Sequence, residues 1–252
     1  MLTASNLNTH VRDNLNALST HAHTGEAGDG AAIYDLDKIR VNTATQKLEY
    51  WDSFDGYGIV PGAAAVGSRY VGISTVALGV DATNGRTRLR VTHATGDSTP
   101  RGLQVSNNFT PRAAENWTFK AIVSRSQANV GGTITIDVGF RETLSTGIQD
   151  GIYFRAVNNA NWLLVCRNAG AETTVDMGVA PSSTLILLEF RISSDGASVQ
   201  GYLNGVLTGA AITTNIPTNM LYVAWLSDKA ETITTPAIHE LWGWGWKGDL
   251  IP

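Results

Sequence analysis

From residue 88 onward, apolar residues fall in short runs or alternate with polar ones. The segments 88–92, 117–124, 133–140, 151–157, 162–167, 185–192, 198–203 and 220–226 predict β-strands, because alternate side chains of an extended chain face opposite sides. Between them lie turn formers: Asp81-Ala82-Thr83-Asn84-Gly85, Asn158-Asn159-Ala160-Asn161 and Ser193-Ser194-Asp195-Gly196. Asn204-Gly205, between 198–203 and Val206-Leu207, predicts a two-residue hairpin turn. Many short strands with no long amphipathic helix predict a mainly β protein, an antiparallel β-sandwich over residues 51–252.

The first residues follow another period. Leu7, Val11, Leu15 and Leu18 form one narrow apolar stripe on a helix, which Thr3 or Ser5 can cap. A helix of about four turns is marginal alone in water, and one thin stripe builds no core. These four residues are therefore read as oligomerisation residues that bury against copies of themselves; a helix lying on its own sandwich is the alternative. Residues 19–30 are small, polar and Gly-rich, and Ile33, Leu36, Ile39 and Val41 follow among polar residues. The expected organisation is thus an oligomerising and anchoring segment over 1–24, a linker and short extended β stem over 25–50, and the sandwich over 51–252.

Composition narrows the function classes. Charged residues make up 16% of the chain, against about 25% in an average globular protein, which fits strands, turns and surface buried between subunits. The net charge is −4 with no basic block, so a nucleic-acid groove is not expected. No stretch of about 18 apolar residues predicts membrane insertion. The start has no signal-peptide pattern, so synthesis in the cytoplasm is expected, with any extracellular role reached by assembly into a particle. Cys166 stands alone in the apolar run Trp162-Leu163-Leu164-Val165-Cys166 and reads as a buried, inert thiol.

Two parts of the chain carry a resemblance. Leu2-Thr3-Ala4-Ser5-Asn6-Leu7-Asn8-Thr9-His10-Val11-Arg12-Asp13-Asn14-Leu15, followed by His21-Ala22-His23-Thr24-Gly25, resembles the N-terminal region of tail, fibre and other minor virion proteins of tailed bacteriophages. Trp51-Asp52-Ser53-Phe54-Asp55, Gly201-Tyr202-Leu203-Asn204-Gly205 and Pro217-Thr218-Asn219-Met220-Leu221-Tyr222-Val223 resemble the concanavalin-A-like jelly roll of lectins, laminin-G domains and glucanases. The first resemblance implies a homotrimer that joins other virion proteins through its N-terminal segment. The second implies a fold and leaves the ligand open.

Two histidines one residue apart in an extended chain point to the same side. Three chains around an axis would offer six imidazoles, a set that suits a transition metal. The resemblance implies one axial metal per trimer held by His21 and His23, iron first, with zinc or nickel as other candidates. Set against it is a pair of solvated polar residues in a Gly-rich turn. His93 and His239 are read as isolated structural residues.

Glucanases of this fold use an E-x-D-x-x-E strand, since retaining hydrolysis needs two carboxyl groups about 5 Å apart. No such run occurs; Glu189 stands alone, and Asp137 and Glu142 are five apart. Asp and Glu are read as solvated turn residues, and the protein as a non-enzyme. Asp81–Asn84 and Asn158–Asn161 could serve as cation loops but lack a ligand spacing. Trp242-Gly243-Trp244-Gly245-Trp246 would put three indoles on one strand face. They are candidate ligand-binding residues for sugar rings, or else fill the core or a subunit contact. The expected function is a trimeric bacteriophage tail fibre or spike on the virion surface, showing its sandwich to a host-surface glycan. The alternative is a capsid or tail decoration protein with no ligand.

Overall fold

A computed structural model of the protein describes residues 39–42, 47–52, 70–73, 77–80, 87–95, 100–105, 116–127, 132–142, 147–219, 221–229 and 236–249. The expected helix, with Leu7, Val11, Leu15 and Leu18, lies outside these residues, as do His21 and His23 and the loop Asp81–Asn84. No helix occurs among the described residues, which form sixteen strands. These are β1 (Ile39–Asn42), β2 (Lys47–Asp52), β3 (Tyr70–Ile73), β4 (Ala77–Val80), β5 (Thr87–His93), β6 (Arg101–Val105), β7 (Thr118–Gln127) and β8 (Ile134–Arg141). There follow β9 (Gly151–Val157), β10 (Leu163–Asn168), β11 (Ala171–Asp176), β12 (Ile186–Ile192), β13 (Val199–Leu203), β14 (Val206–Ile212), β15 (Tyr222–Lys229) and β16 (Ala237–Asp249).

The strands build two antiparallel sheets. One has nine strands, ordered β1-β2-β16-β7-β12-β13-β14, with β5 also paired to β16 and β4 to β5. The other has seven, ordered β11-β10-β9-β8-β15-β6-β3. The expected antiparallel sandwich is what the chain forms. The segment read as a stem contributes to it, since β2 pairs with β16 from Trp244↔Asp52 to Asp249↔Lys47. The boundary expected at Trp51 therefore falls inside a strand of the sandwich.

Alternation explains the core. Leu89, Val91, Phe119, Ala121, Val123, Leu188 and Phe190 are buried on the inner face of the nine-stranded sheet. Ile134, Ile136, Val138, Phe140, Ile152, Phe154, Leu164 and Cys166 are buried on that of the seven-stranded sheet. Four phenylalanines join the sheets: Phe190 lies 5.3 Å from Phe119, 5.2 Å from Phe140 and 5.8 Å from Phe154. Such ring contacts add about 0.5–1.5 kcal/mol each beyond the area they bury. Cys166 is buried and free, and burial pushes its thiol up to about 12, which keeps it protonated and unreactive.

Asn204-Gly205 makes the expected hairpin, both residues having positive φ, as a type I′ turn requires. The WGWGW segment departs from expectation. Pairing of β16 with β7 runs Leu241↔Val123 and then Gly243↔Ile122, so Trp242 is the extra residue of a β-bulge. The bulge flips the phase of the strand. Ala237, His239 and Leu241 face inward before it, and Trp244 and Trp246 after it; all five are buried. The three indoles therefore do not share a face.

Candidate functional site

The period of two places a small grid of side chains on the outer face of the seven-stranded sheet. Cross-strand register gives three rows over β8, β9, β10 and β11: Asp137–Arg155–Leu163–Asp176, Gly139–Tyr153–Val165–Thr174 and Arg141–Gly151–Arg167–Glu172. The middle row is uncharged and the flanking rows carry the charges. Gly139 matters to this arrangement: its φ is +150°, and a Cβ there would lie 2.6 Å from the Cα of Tyr153.

Arg155 organises the grid. Its Nε donates to Asp137 Oδ1 at 3.0 Å, Nη1 to Glu172 Oε2 at 2.9 Å and Nη2 to the Tyr153 hydroxyl at 2.7 Å. Arg141 lies 3.3 Å from Asp137, and Arg167 reaches Glu172 at 3.5 Å. Burial alone would lower the Arg155 pKa, but Asp137, Tyr153 and Glu172 outweigh it and raise it. Burial, with Asp137 adding to it, also raises the Tyr153 phenol, so Tyr153 stays a neutral hydrogen-bonding group. Asp137, Arg141 and Tyr153 are buried, whereas Arg155, Arg167 and Glu172 keep part of their side chains exposed. The accessible chemistry is thus a planar, charge-balanced set of donors and acceptors beside the apolar edge of Leu163.

A loop closes one end of this face. Ile148 packs on Tyr153 and Val165. Glu142 holds the loop by accepting from the backbone N–H groups of Gln149 and Asp150. Asp150 ties it to its neighbours, accepting from Ala169 N at 2.8 Å and Asn219 Nδ2 at 2.5 Å.

The carboxylates were expected in solvated turns, and here the structure corrects the sequence reading. Asp137, Glu189 and Glu240 lie within strands and are buried. Each is compensated: Asp137 by Arg141 and Arg155, Glu189 by Lys120 and Arg191, and Glu240 by Arg88 and Arg90. Cations on the same strand (Arg141, Arg191) and on neighbouring strands (Arg155, Lys120, Arg88, Arg90) make that burial tolerable. Burial works to raise the Glu240 pKa, but hydrogen bonds from Ser124, Arg90 and Arg88 prevail and hold it below its usual range.

The expected tryptophan site is divided. Trp244 and Trp246 are enclosed in the interior and present no ring to a sugar. Trp242 stays half-buried on the outer face of the nine-stranded sheet, its Nε1 donating to Ser124 Oγ at 2.8 Å and the Arg88 guanidinium 4.9 Å from its ring centre. The loop Asn158–Asn161 serves the fold: Asn158 Oδ1 accepts from Ile134 N, and Asn161 Nδ2 donates to Asp176. His93 and His239, read as isolated, meet in the interior with ring centres 6.4 Å apart. Among the described residues, no group of three or more His, Cys, Asp or Glu could hold a metal ion.

The sequence reading missed the grid because its members are spread over β8 to β11. The available signal was charge inside largely apolar strands: Asp137 and Arg141 in ITIDVGFR and Arg155 in GIYFRAV.

No family model matches the sequence, and no curated protein sequence matches it. Solved structures do. A protein of unknown function from Shewanella oneidensis MR-1 aligns with a TM-score of 0.59 at 14% identity, over 86% of this chain and 93% of that one. Peanut lectin aligns at 0.53 and 10% identity, over 82% and 99%. A Bacillus licheniformis β-glucanase aligns at 0.51 and 12% identity, over 79% and 97%. At such identities the likeness concerns the fold, which is that of the concanavalin-A-like jelly roll shared by lectins and glucanases.

Proposed function

We propose that this chain is a non-catalytic, glycan-binding appendage of a bacteriophage virion, a homotrimeric fibre or spike. The observation that carries the binding reading is Arg155, which holds Asp137 and Glu172 together on the outer face of the seven-stranded sheet. Glu172, fixed by Arg155 and Arg167 and partly exposed, offers carboxylate oxygens that can accept hydrogen bonds from sugar hydroxyls. Glu172 and Arg167, with Thr174 beside them, offer the accessible groups. The lectin-like fold supports the same reading by analogy.

A glycan array probed with the full chain tests this. Binding to a restricted set of glycans is expected, with Glu172→Gln and Arg167→Ala each weakening it about tenfold, the worth of one charge-assisted hydrogen bond. An array without binding, or variants that bind as the wild type does, would remove the reading. Release of reducing ends from bound glycan would show an enzyme instead.

The trimer, the virion and the metal rest on the opening segment and its resemblance. Light scattering should give three chains per particle, and labelling should place the protein on the virion surface. One transition metal per trimer should be lost in the His21→Ala/His23→Ala double variant.

A further inference from the structure

The outer face of the nine-stranded sheet carries a second set of side chains, on the opposite side of the sandwich. Register alone lines up one row across six strands: Trp51↔Gly245, Gly245↔Lys120, Lys120↔Glu189, Glu189↔Tyr202 and Tyr202↔Leu207. At about 4.8 Å between strands, Trp51 and Tyr202 stand about 19 Å apart, with Lys120 between them. Arg191 joins from β12, its guanidinium carbon 4.0 Å from the Tyr202 ring centre.

Exposure within this row is sorted by sign. Trp51 is 38% exposed, and the side chains of Lys120 and Arg191 are 40% and 49% exposed. Glu189, which both cations contact, is 2% exposed. Further along β16, Arg88 and Arg90, 11% and 34% exposed, contact the buried Glu240 near the half-buried Trp242, so Arg90 is the accessible cation there. Each cluster sets two cations over one carboxylate, and the carboxylate is the member at the base. In these clusters the more exposed charge is therefore positive, on a chain whose net charge is −4.

We propose that this face binds an acidic glycan, a chain of sugar rings bearing carboxylates. Trp51 supplies a flat surface for a ring face, and Lys120 and Arg191, the latter stacked on Tyr202, supply cations for the carboxylates. Nucleic acid fits less well. The cations are few, and each is already half-compensated by a carboxylate beneath, which is too little charge for a phosphate backbone. The proposal concerns a different sheet from the Arg155 grid and stands or falls apart from it.

The test is titration of the full chain with oligogalacturonate and with oligosialic acid, each set beside its methyl ester, which keeps the rings and removes the charge. Binding of at least one acid is expected, weakened by added salt and at least about tenfold weaker for its ester. Trp51→Ala and the Lys120→Ala/Arg191→Ala pair should each lower affinity about tenfold. Binding of neither acid overturns the proposal, as does equal binding of acid and ester. Wild-type affinity in the Lys120→Ala/Arg191→Ala variant overturns it too. If these variants instead change the number of chains per particle in light scattering, the face is a contact between copies of this chain and the proposal fails.

Discussion

His239 is enclosed between His93 and Arg125, and neither of its ring nitrogens has a hydrogen-bond partner among the described residues. Burial first, then the neighbouring His93 and Arg125, lowers its pKa from the usual 6.5 to about 3. The native state thus keeps this imidazole neutral, while the unfolded chain takes up a proton below about pH 6.5. Stability falls as pH drops through the window from about 6.5 to 3, by up to about 1.4 kcal/mol per pH unit. Urea unfolding at pH 7 and pH 5 should show the loss, and His239→Leu should flatten it. An unchanged slope would mean that this ring is not the source. Gly139 is the other residue whose setting allows little change. Its φ of +150° and the 2.6 Å approach of Tyr153 Cα predict that Gly139→Ala costs about 2 kcal/mol or more in thermal or chemical unfolding. A variant as stable as the parent would show that the two strands can part there.

Among the elements, the β13–β14 hairpin tests how far local chemistry sets pairing. Asn204 has a φ of 49°, its N–H donates to Leu187 O and its Oδ1 accepts from Leu187 N. Asn204→Ala should cost about 1–2 kcal/mol, from the left-handed backbone and the lost hydrogen bond. Asn204→Gly should recover the backbone part, and equal losses in both would assign the whole effect to the Leu187 contact. The β8–β9 pair depends instead on a charge. Arg155→Met would leave buried Asp137 with Arg141 as its one cation among the described residues, and should cost about 3 kcal/mol. A smaller loss restored by Asp137→Asn would still confirm the pairing, whereas additivity of the two changes would deny it. Strand positions were legible because a two-residue period survives in the sequence: the segment 151–157 is β9 unchanged, and 185–192 misses β12 by one residue. β11 (AETTVD) was missed because it is an edge strand with one face open and the other only half-buried, on Thr173 and Val175, so its apolar alternation is weak. The Trp242 bulge was missed because WGWGW alternates whether or not a residue is inserted before it; the flip shows only in pairing with β7.

For the whole molecule, the two outer faces make separable predictions. The grid on the seven-stranded sheet is nearly charge-balanced at its surface and the row on the nine-stranded sheet is cationic, so added salt should weaken binding on the second face more than on the first. The proposed trimer can be tested without either face. Leu7→Asn with Leu15→Asn would interrupt the N-terminal stripe, and light scattering should then report single chains with the sandwich still folded. Retention of three chains would place the trimer contact elsewhere.

The sequence by itself determined the sandwich, because binary patterning and turn residues are local properties read a few positions at a time. It also determined the inert Cys166, which lies in an apolar run. Which charges meet, and on which face, only the tertiary structure decided. Asp137 finds Arg155 across the pairing of consecutive strands β8 and β9, and Glu189 finds Lys120 across the pairing of β12 with β7, far apart in the chain. Trp244 and Trp246 went inside and Trp51 outside for the same reason: one bulge at Trp242 sets the phase of the rest of β16, and β2 inherits that phase through its pairing.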